Sequence, residues 1–507
     1  MKNARKLLAF LLALLLVLPA MFACGESTSA DDPADTTVSE PTVNTLNGIP
    51  LADYTIVYSE SGLDFNKRAA EYISSSIEAI TGTAPVVKLD TDSEATANEI
   101  LVGITNRQDS LGIESLDGKT KDFEFISVAK DNKVLLYGEE YMIAAAAYDF
   151  AKKISDTKTV TVSSDITIGA PVFEDPKNVI FVIGDGMGFN SLELGNQLFE
   201  SNAYTEFENV NGYDQVIVAN RLPYKGQNYT HSYDYDVTDS AAGGTALATG
   251  YKTYNGVVGL DTGLNRIKNL TELAHELGKK TAVSTTDDPN GATPSAFSVH
   301  VKDREDTADI LEAQSKTPFD RIIGNITDPA TSIRETLDII SGSDKGFFIM
   351  HEEAHFDKES HANDYNYFYT AYTRCNTALR VFLEFMMYNP DTALILTADH
   401  ETGGITLNAE TGEYEFTCGD HTHVNVPFYG IGKGTEFIEG KTFDNTGVAK
   451  FAAQLMGVED FGNPNTEQLT DRTGEEKLTD KEGIAIYKEK KAAEKAYPGN
   501  NTDYFVE

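Results

Sequence analysis

Toward its C-terminal third the chain reads Thr397-Ala398-Asp399-His400-Glu401-Thr402-Gly403-Gly404, an apolar run from Ala393 to Leu396 delivering an Asp-His pair into a glycine turn. Carboxylate and imidazole are the usual donors to divalent metals, and a buried strand can present them at a sheet edge. One such pair alone is more often a surface contact than a ligand set. Partners elsewhere decide the matter, and the chain has them. Asn178 to Ile183 is a second apolar run, ending in Gly184-Asp185-Gly186-Met187-Gly188. Gly346 to Met350 leads into His351-Glu352-Glu353-Ala354-His355-Phe356-Asp357-Lys358-Glu359-Ser360-His361, and His421-Thr422-His423 precedes the apolar stretch Val424 to Ile431. Seven of the nine histidines lie at or after His300, and six of those seven fall in these groups, a clustering that solubility alone does not produce.

A nucleophile candidate lies between the first group and the later ones, in Val237-Thr238-Asp239-Ser240-Ala241-Ala242-Gly243-Gly244-Thr245-Ala246-Leu247-Ala248-Thr249-Gly250. Small, Ala-rich residues closing on a glycine predict a helix with Ser240 in its first turn. Free amide donors and the positive end of the helix dipole suit an anion there. A serine hydroxyl is a poor nucleophile near neutral pH and needs a base or a metal beside it. The plainer reading is that Ser240 is only an N-cap.

These side chains require a scaffold that brings distant segments to one edge. The runs ending at Asp185 and Asp399 predict central parallel strands with their acids at the carboxyl ends, where open α/β sheets bind ligands. Across residues 177–458 such strands alternate with helical patterns at Leu270–Leu277, Ala308–Ala313 and Thr370–Phe385, which predicts a parallel sheet between helical layers. Residues 48–170 predict a small α/β accessory domain. It has strands at Tyr54–Tyr58 and Glu99–Gly103, helices at Phe65–Ile80 and Tyr141–Ile154, and a hairpin over Phe123–Tyr137 turning at Lys130–Lys133. It holds no histidine. A C-terminal tail spans 459–507, with a predicted helix at Lys481–Lys495.

Lys2, Arg5 and Lys6 precede an apolar stretch, Leu7 to Leu18, that is too short to span a bilayer and has the length of a signal core. Residues 1–24 therefore read as a signal peptide. Ala23-Cys24-Gly25 resembles the lipobox of bacterial lipoproteins, whose cysteine becomes the lipidated first residue; plain cleavage after Ala23 is the alternative. Residues 25–47 are rich in Ser, Thr, Asp, Pro and Glu and predict a disordered tether. The expectation is an exported, extracytoplasmic protein anchored by lipid at the bacterial cell surface, touching the membrane only through that anchor. Cys375 and Cys418 allow one disulfide or two free thiols. Against 79 Asp plus Glu stand 41 Lys plus Arg, a net charge of -38. Such a surface repels nucleic acid, and it repels any anionic substrate too unless bound cations reverse the field locally.

Taken together, Asp185-Gly-Met-Gly, Asp239-Ser240-Ala-Ala, Glu352 with Asp357 and His361, Asp399-His400, and His421 occur in the order and contexts of the alkaline phosphatase family. The resemblance spans Lys177 to Leu455. It implies a three-layer α/β/α sandwich of the alkaline phosphatase type. It also implies a serine phosphatase that hydrolyses small phosphate monoesters through a phosphoserine, with two Zn ions and one Mg ion. By the same resemblance Asp357, His361 and His421 look like ligands of the first Zn, and Asp185, Asp399 and His400 like those of the second. Asp185, Glu352 and Thr293 would hold Mg. Ser240 would attack phosphorus, and Arg304 would clamp the phosphate with its guanidinium fork. Lys358 would reach phosphate through water. His423 competes with His421, and Gly291 departs from the family, whose members often carry Asp or His there. His300, His351 and His355 read as supporting or packing residues. A homodimer is an expectation carried by the resemblance alone.

Two other readings stay open. A phosphodiesterase of the same superfamily shares the metal logic, although those enzymes usually present Thr as nucleophile; a sulfatase needs a Cys/Ser-x-Pro-x-Arg context that Ser240-Ala-Ala-Gly-Gly lacks. The second is a surface lipoprotein that binds phosphate or glycan without turnover, a reading the intact ligand set argues against.

Overall fold

The computed structural model describes residues 44–463 apart from 61–62, 93, 108–115, 117, 202–217 and 234. The signal peptide, the lipidation site, residues 25–43 of the tether and the helix at Lys481–Lys495 lie outside the described residues. The chain divides into two compact units, Met1–Pro171 and Val172–Glu507.

In the first unit the strands Val87–Leu89, Thr55–Tyr58, Glu99–Val102, Lys133–Tyr137, Phe125–Lys130 and Thr167–Gly169 form one sheet in that order. Helices Leu63–Thr81 and Met142–Asp156 pack against each other and on the sheet. Val57, Leu101, Ile126, Val128 and Leu135 fill the core. The tether expected to reach Asn47 ends sooner. Thr45–Leu46 is a strand parallel to Thr159–Val160, because Leu46 is fully buried and the Thr45 amide donates to the Lys158 carbonyl at 2.9 Å.

The second unit is built on β1 (Asn178–Gly184), β2 (Tyr224–Tyr229), β3 (Lys280–Thr285), β4 (Arg321–Ile323), β5 (Phe347–Glu353), β6 (Thr392–Thr397), β7 (Val426–Ile431) and β8 (Thr442–Asp444). They form one sheet in the order β4-β3-β5-β1-β6-β7-β2-β8. The strands from β4 to β6 are mutually parallel, whereas β7 runs antiparallel to β6 and β2 antiparallel to β7. The sheet is therefore mixed where the alternation predicted a parallel one, because an apolar run reads the same in either direction.

The helices are α1 (Phe189–Glu200), α2 (Ser240–Thr249), α3 (Leu270–Glu276), α4 (Ala292–Ala296), α5 (Thr307–Lys316), α6 (Pro329–Ile340), α7 (His355–Ala362), α8 (Tyr365–Tyr388) and α9 (Asn445–Leu455). Strand residues Val179, Phe181, Ile183, Val283, Phe348, Met350, Ala393 and Ile395 bury one sheet face against α2, α3, α4, α5 and α9. The alternate residues face α6 and α8, with α1 and α7 packed on α8, which makes three layers. Glu459–Asn463 folds back on the unit through a bond from the Asn463 amide to the Gly250 carbonyl at 3.0 Å. No helix among the described residues is long and apolar enough to cross a membrane.

Register decides the rest. Ile183 of β1 pairs with Glu352 of β5 and with Thr397 of β6, and Thr285 of β3 also pairs with Glu352. Four parallel strands thus stop at one level, and the residues just beyond them share one edge of the sheet.

Candidate functional site

Each functional side chain owes its place to where its strand stops. Asp185 leaves β1 in a tight turn at Gly186, whose φ of +77° is left-handed and whose missing Cβ would lie 2.6 Å from the Asp357 Cα. The Gly186 amide donates to Asp399 Oδ1 at 3.3 Å, and its carbonyl accepts from the Thr402 amide at 3.1 Å. One glycine therefore docks the turns after β1 and β6 on the start of α7. Strand β5 runs on through His351, Glu352 and Glu353, so Glu352 sits in the sheet itself, and α7 carries Asp357 and His361 one turn apart. The two-residue ladder between Glu401–Thr402 and His421–Thr422 folds His421 over this edge.

Two groups of donors converge there. In the first, the Nε2 atoms of His361 and His421 lie 3.1 Å apart and 3.3 and 3.2 Å from Asp357 Oδ1. In the second, His400 Nε2 is 3.5 Å from Asp185 Oδ1 and 3.3 Å from Asp399 Oδ2. The groups adjoin: the His400 and His421 rings stack at 3.6 Å, and Asp357, His400 and His421 also fall within metal-ligand reach of one another.

The neighbours fix the tautomers. His361 Nδ1 faces the Gly419 carbonyl at 2.6 Å and His421 Nδ1 the Thr238 carbonyl at 2.8 Å. A carbonyl only accepts, so both Nδ1 atoms carry the proton. Thr402 Oγ1 donates to Asp357 Oδ1 at 2.5 Å, leaving its lone pair for His400 Nδ1–H at 3.2 Å. All three Nε2 atoms therefore face the carboxylates, an arrangement that needs either a proton on the imidazole or a cation between them.

The electrostatics agree with the geometry. Burial, with the neighbouring Asp399, pushes the Asp185 carboxyl well above the usual range, and burial with Asp357 does the same to Asp399. Burial, then His421, keeps His400 neutral by holding its pKa far down. Asp357 goes the other way: burial alone would raise it, but the hydrogen bonds from His361 and His421 take it far below. That same bond to Asp357 lifts His361 to about 9. Asp185 Oδ1 and Asp399 Oδ2 are buried with no hydrogen-bond partner.

Ser240 opens α2, and Asp239, not Ser240, is the N-cap, accepting from the Ala242 amide at 2.9 Å. The serine hydroxyl is thus released from capping, and its Oγ lies 3.2 Å from His400 Nε2. Asp239 Oδ2 also accepts from Arg304 Nη1 at 3.2 Å and from the Gly256 amide at 2.9 Å, which holds the guanidinium beside the same helix end. Thr293, in α4, donates to Asp185 Oδ2 at 3.3 Å and also bonds Glu352, whose carboxyl burial raises.

All ten predicted site residues are thus brought to one edge. His423 is exposed and stands apart from both donor groups. His351 bonds Ser284 Oγ at 3.0 Å, His355 bonds Glu359, and His300 bonds Glu272 and the Gly259 carbonyl. Lys358 Nζ is 2.5 Å from Asp287 Oδ2. Cys375 and Cys418 are free thiols. Sequence reasoning passed over three residues. Thr402 bridges the two donor groups, Thr285 donates to Glu352 Oε2, and Glu353 binds Arg374. For the threonines the only signal was position, Thr285 at the end of a strand and Thr402 two residues past a ligand.

The family model described as alkaline phosphatase matches residues 176–328 and 325–437, and the chain belongs to that family. Alkaline phosphatase 4 of Bacillus subtilis is 28% identical over 297 residues, which cover 46% of this chain and 63% of that protein. Alkaline phosphatase H of Pseudomonas aeruginosa is 41% identical over 137 residues, 25% of this chain and 26% of its own. The alkaline phosphatase of the Antarctic bacterium TAB5 superposes with a TM-score of 0.50 at 22% identity, over 56% of this chain and 99% of that one, a likeness of fold.

Proposed function

We propose that the protein is a metal-dependent phosphomonoesterase that works through a phosphoserine on Ser240. The observation that carries this reading is the convergence of three imidazole Nε2 atoms and three carboxylates beside a serine hydroxyl at the start of a helix. Membership of the alkaline phosphatase family supports the hydrolase class. The donors fit divalent cations: two buried carboxylate oxygens lack a hydrogen-bond partner, and the N/O set is one zinc favours. Asp357, His361 and His421 would hold one Zn, Asp185, Asp399 and His400 a second, and Asp185, Glu352 and Thr293 a Mg. When bound, such ions offset charge on the attacking and leaving oxygens and lower the pKa of the serine hydroxyl.

The chain's own residues supply the rest. Ser240 Oγ gives up its proton to water and forms a bond to phosphorus as the ester P–O bond breaks, and the departing alcohol takes a proton from water. The guanidinium of Arg304, steadied by Asp239, takes two phosphoryl oxygens, and the first-turn amides of α2 face the same group. Water then cleaves the Oγ–P bond, releasing phosphate and restoring the hydroxyl. Against a net charge of -38, Arg304 and this helix end are what favours an anion locally. The leader at Lys2 to Leu18 and the isolated Cys24 support a site of action outside the cytoplasm, with lipid anchoring.

The test is turnover of p-nitrophenyl phosphate against bis(p-nitrophenyl) phosphate by the purified chain, before and after chelation. The reading expects the monoester to be preferred, activity to vanish with chelator, and Zn plus Mg to restore it. Preference for the diester would move the chain to the diesterase reading; turnover of neither would leave a binding protein.

A further inference from the structure

Glu353, the last residue of β5, has a side chain only 1% exposed. Its carboxylate accepts from Arg374 Nε at 3.1 Å and Nη2 at 2.9 Å, from Thr286 Oγ1 at 3.0 Å and from the His355 amide at 3.1 Å. Its carbonyl accepts from the Asp185 amide at 3.0 Å. The Thr286 hydroxyl is itself held, accepting from the Ala354 amide at 3.0 Å, while the Thr286 amide donates to the Glu352 carbonyl at 3.1 Å. This single residue therefore ties together the end of β3, the start of α7 and the turn that carries Asp185. Glu352 precedes it, and Asp357 and His361 come within two turns of chain after it.

The partner comes from outside the sheet edge, since Arg374 lies on α8. Burying an ion pair seldom stabilises a fold better than apolar residues of similar size, so stability alone is a weak reason for this one. A guanidinium fork on a carboxylate fixes orientation as well as charge, and orientation is what ligand geometry needs. We infer that the Glu353–Arg374 pair is a positioning device that sets the donor geometry of the metal centre, so that α8 governs metal affinity without supplying a ligand. The inference rests on the proposal that the centre binds metal.

The test is chelator competition for Zn and for Mg on the metal-free full chain, with thermal melting of the same samples, for the parent, Arg374→Lys, Glu353→Gln and the double variant. Arg374→Lys keeps the charge and removes the fork; Glu353→Gln keeps the shape and removes the charge. Each single variant is expected to lower metal affinity about ten- to a hundredfold, and the double variant to fall no further than the weaker single. Affinities within twofold of the parent in folded variants would overturn the inference, whatever the melting temperatures do. Loss of the folded state in both single variants would overturn it too, because the pair would then be a determinant of the fold. A parent chain that binds neither metal would instead sink the proposed function, and the inference with it.

Discussion

Thr402→Val probes the metal centre at a residue that touches no substrate. The change keeps the volume and removes one hydroxyl, which in the structure donates to Asp357 Oδ1 at 2.5 Å and accepts from His400 Nδ1 at 3.2 Å. Thr402 and His400 are fully buried, so water cannot replace the bonds. A hydrogen bond to a charged acceptor is worth about 1.5–3 kcal/mol, and a buried donor left without a partner costs about 1–3 kcal/mol. Part of that cost falls on folding rather than on metal binding. Loss of a bond that orients a metal ligand typically weakens binding about ten- to a hundredfold, or roughly 1.4–2.8 kcal/mol at about 1.4 kcal/mol per tenfold. The two routes meet near 2 kcal/mol, so Zn affinity should fall about thirtyfold. Competition with a chromophoric chelator measures it, and near-ultraviolet circular dichroism checks that the variant is folded. A folded variant with affinity within twofold of the parent would refute the bridging role of the hydroxyl and the tautomer assigned to His400.

Three further outcomes are expected. Arg304→Lys keeps the charge but loses the fork that Asp239 orients, so kcat/KM for a phosphate monoester should drop about ten- to a hundredfold, one charged hydrogen bond being worth roughly 1.5–3 kcal/mol. An unchanged kcat/KM would remove Arg304 from the phosphate clamp. Gly186→Ala forces a left-handed residue against the Asp357 backbone; strain and overpacking each cost about 1–3 kcal/mol, so the melting temperature and the metal content should fall together, and a parent-like melt would contradict the packing. Asp444, 3.0 Å from His231 Nε2 and 3.2 Å from Lys252 Nζ, titrates well below the usual range although burial alone would raise it, because Lys252 and His231 favour its charge. His231 is lowered too, by burial and then Lys252. Both folded-state values lie below the unfolded ones, so both contributions are complete above the unfolded pKa and are lost on acidification. The loss begins below about pH 6.5 for the histidine and below about 4 for the aspartate. Melting temperature should therefore fall from pH 7 to pH 3, and Asp444→Asn should lower the neutral value and flatten the limb below about pH 4. An acid limb as steep as the parent's would contradict this.

Much of the edge was legible because buried parallel strands announce themselves. The β-branched run of β1 and the apolar run of β6 can only be core strands, and the residues just past their ends, Asp185 and Asp399-His400, land at the carboxyl edge. Strand limits were harder where polar residues are buried. The apolar run ends at Met350, yet His351, Glu352 and Glu353 continue β5, because Ser284, Thr285, Thr286 and Arg374 satisfy them from other elements. Those partners are a strand or a helix away, and nothing local in the sequence marks them. Strand direction was equally hidden in Val426–Ile431, where the pattern fits either sense. Asp239 as N-cap settles what the motif left open, since it leaves the Ser240 hydroxyl free to point at His400.

The central claim is that Ser240 carries the phosphoryl group. The direct measurement is to quench the Zn- and Mg-loaded enzyme in acid during turnover of a radiolabelled phosphate monoester and to map the label by peptide sequencing. The predicted result is one labelled peptide, with the phosphate on Ser240, and no label in Ser240→Ala or in chelated protein. Steady turnover with no covalent label, or Ser240→Ala working at the parent's rate, would contradict it.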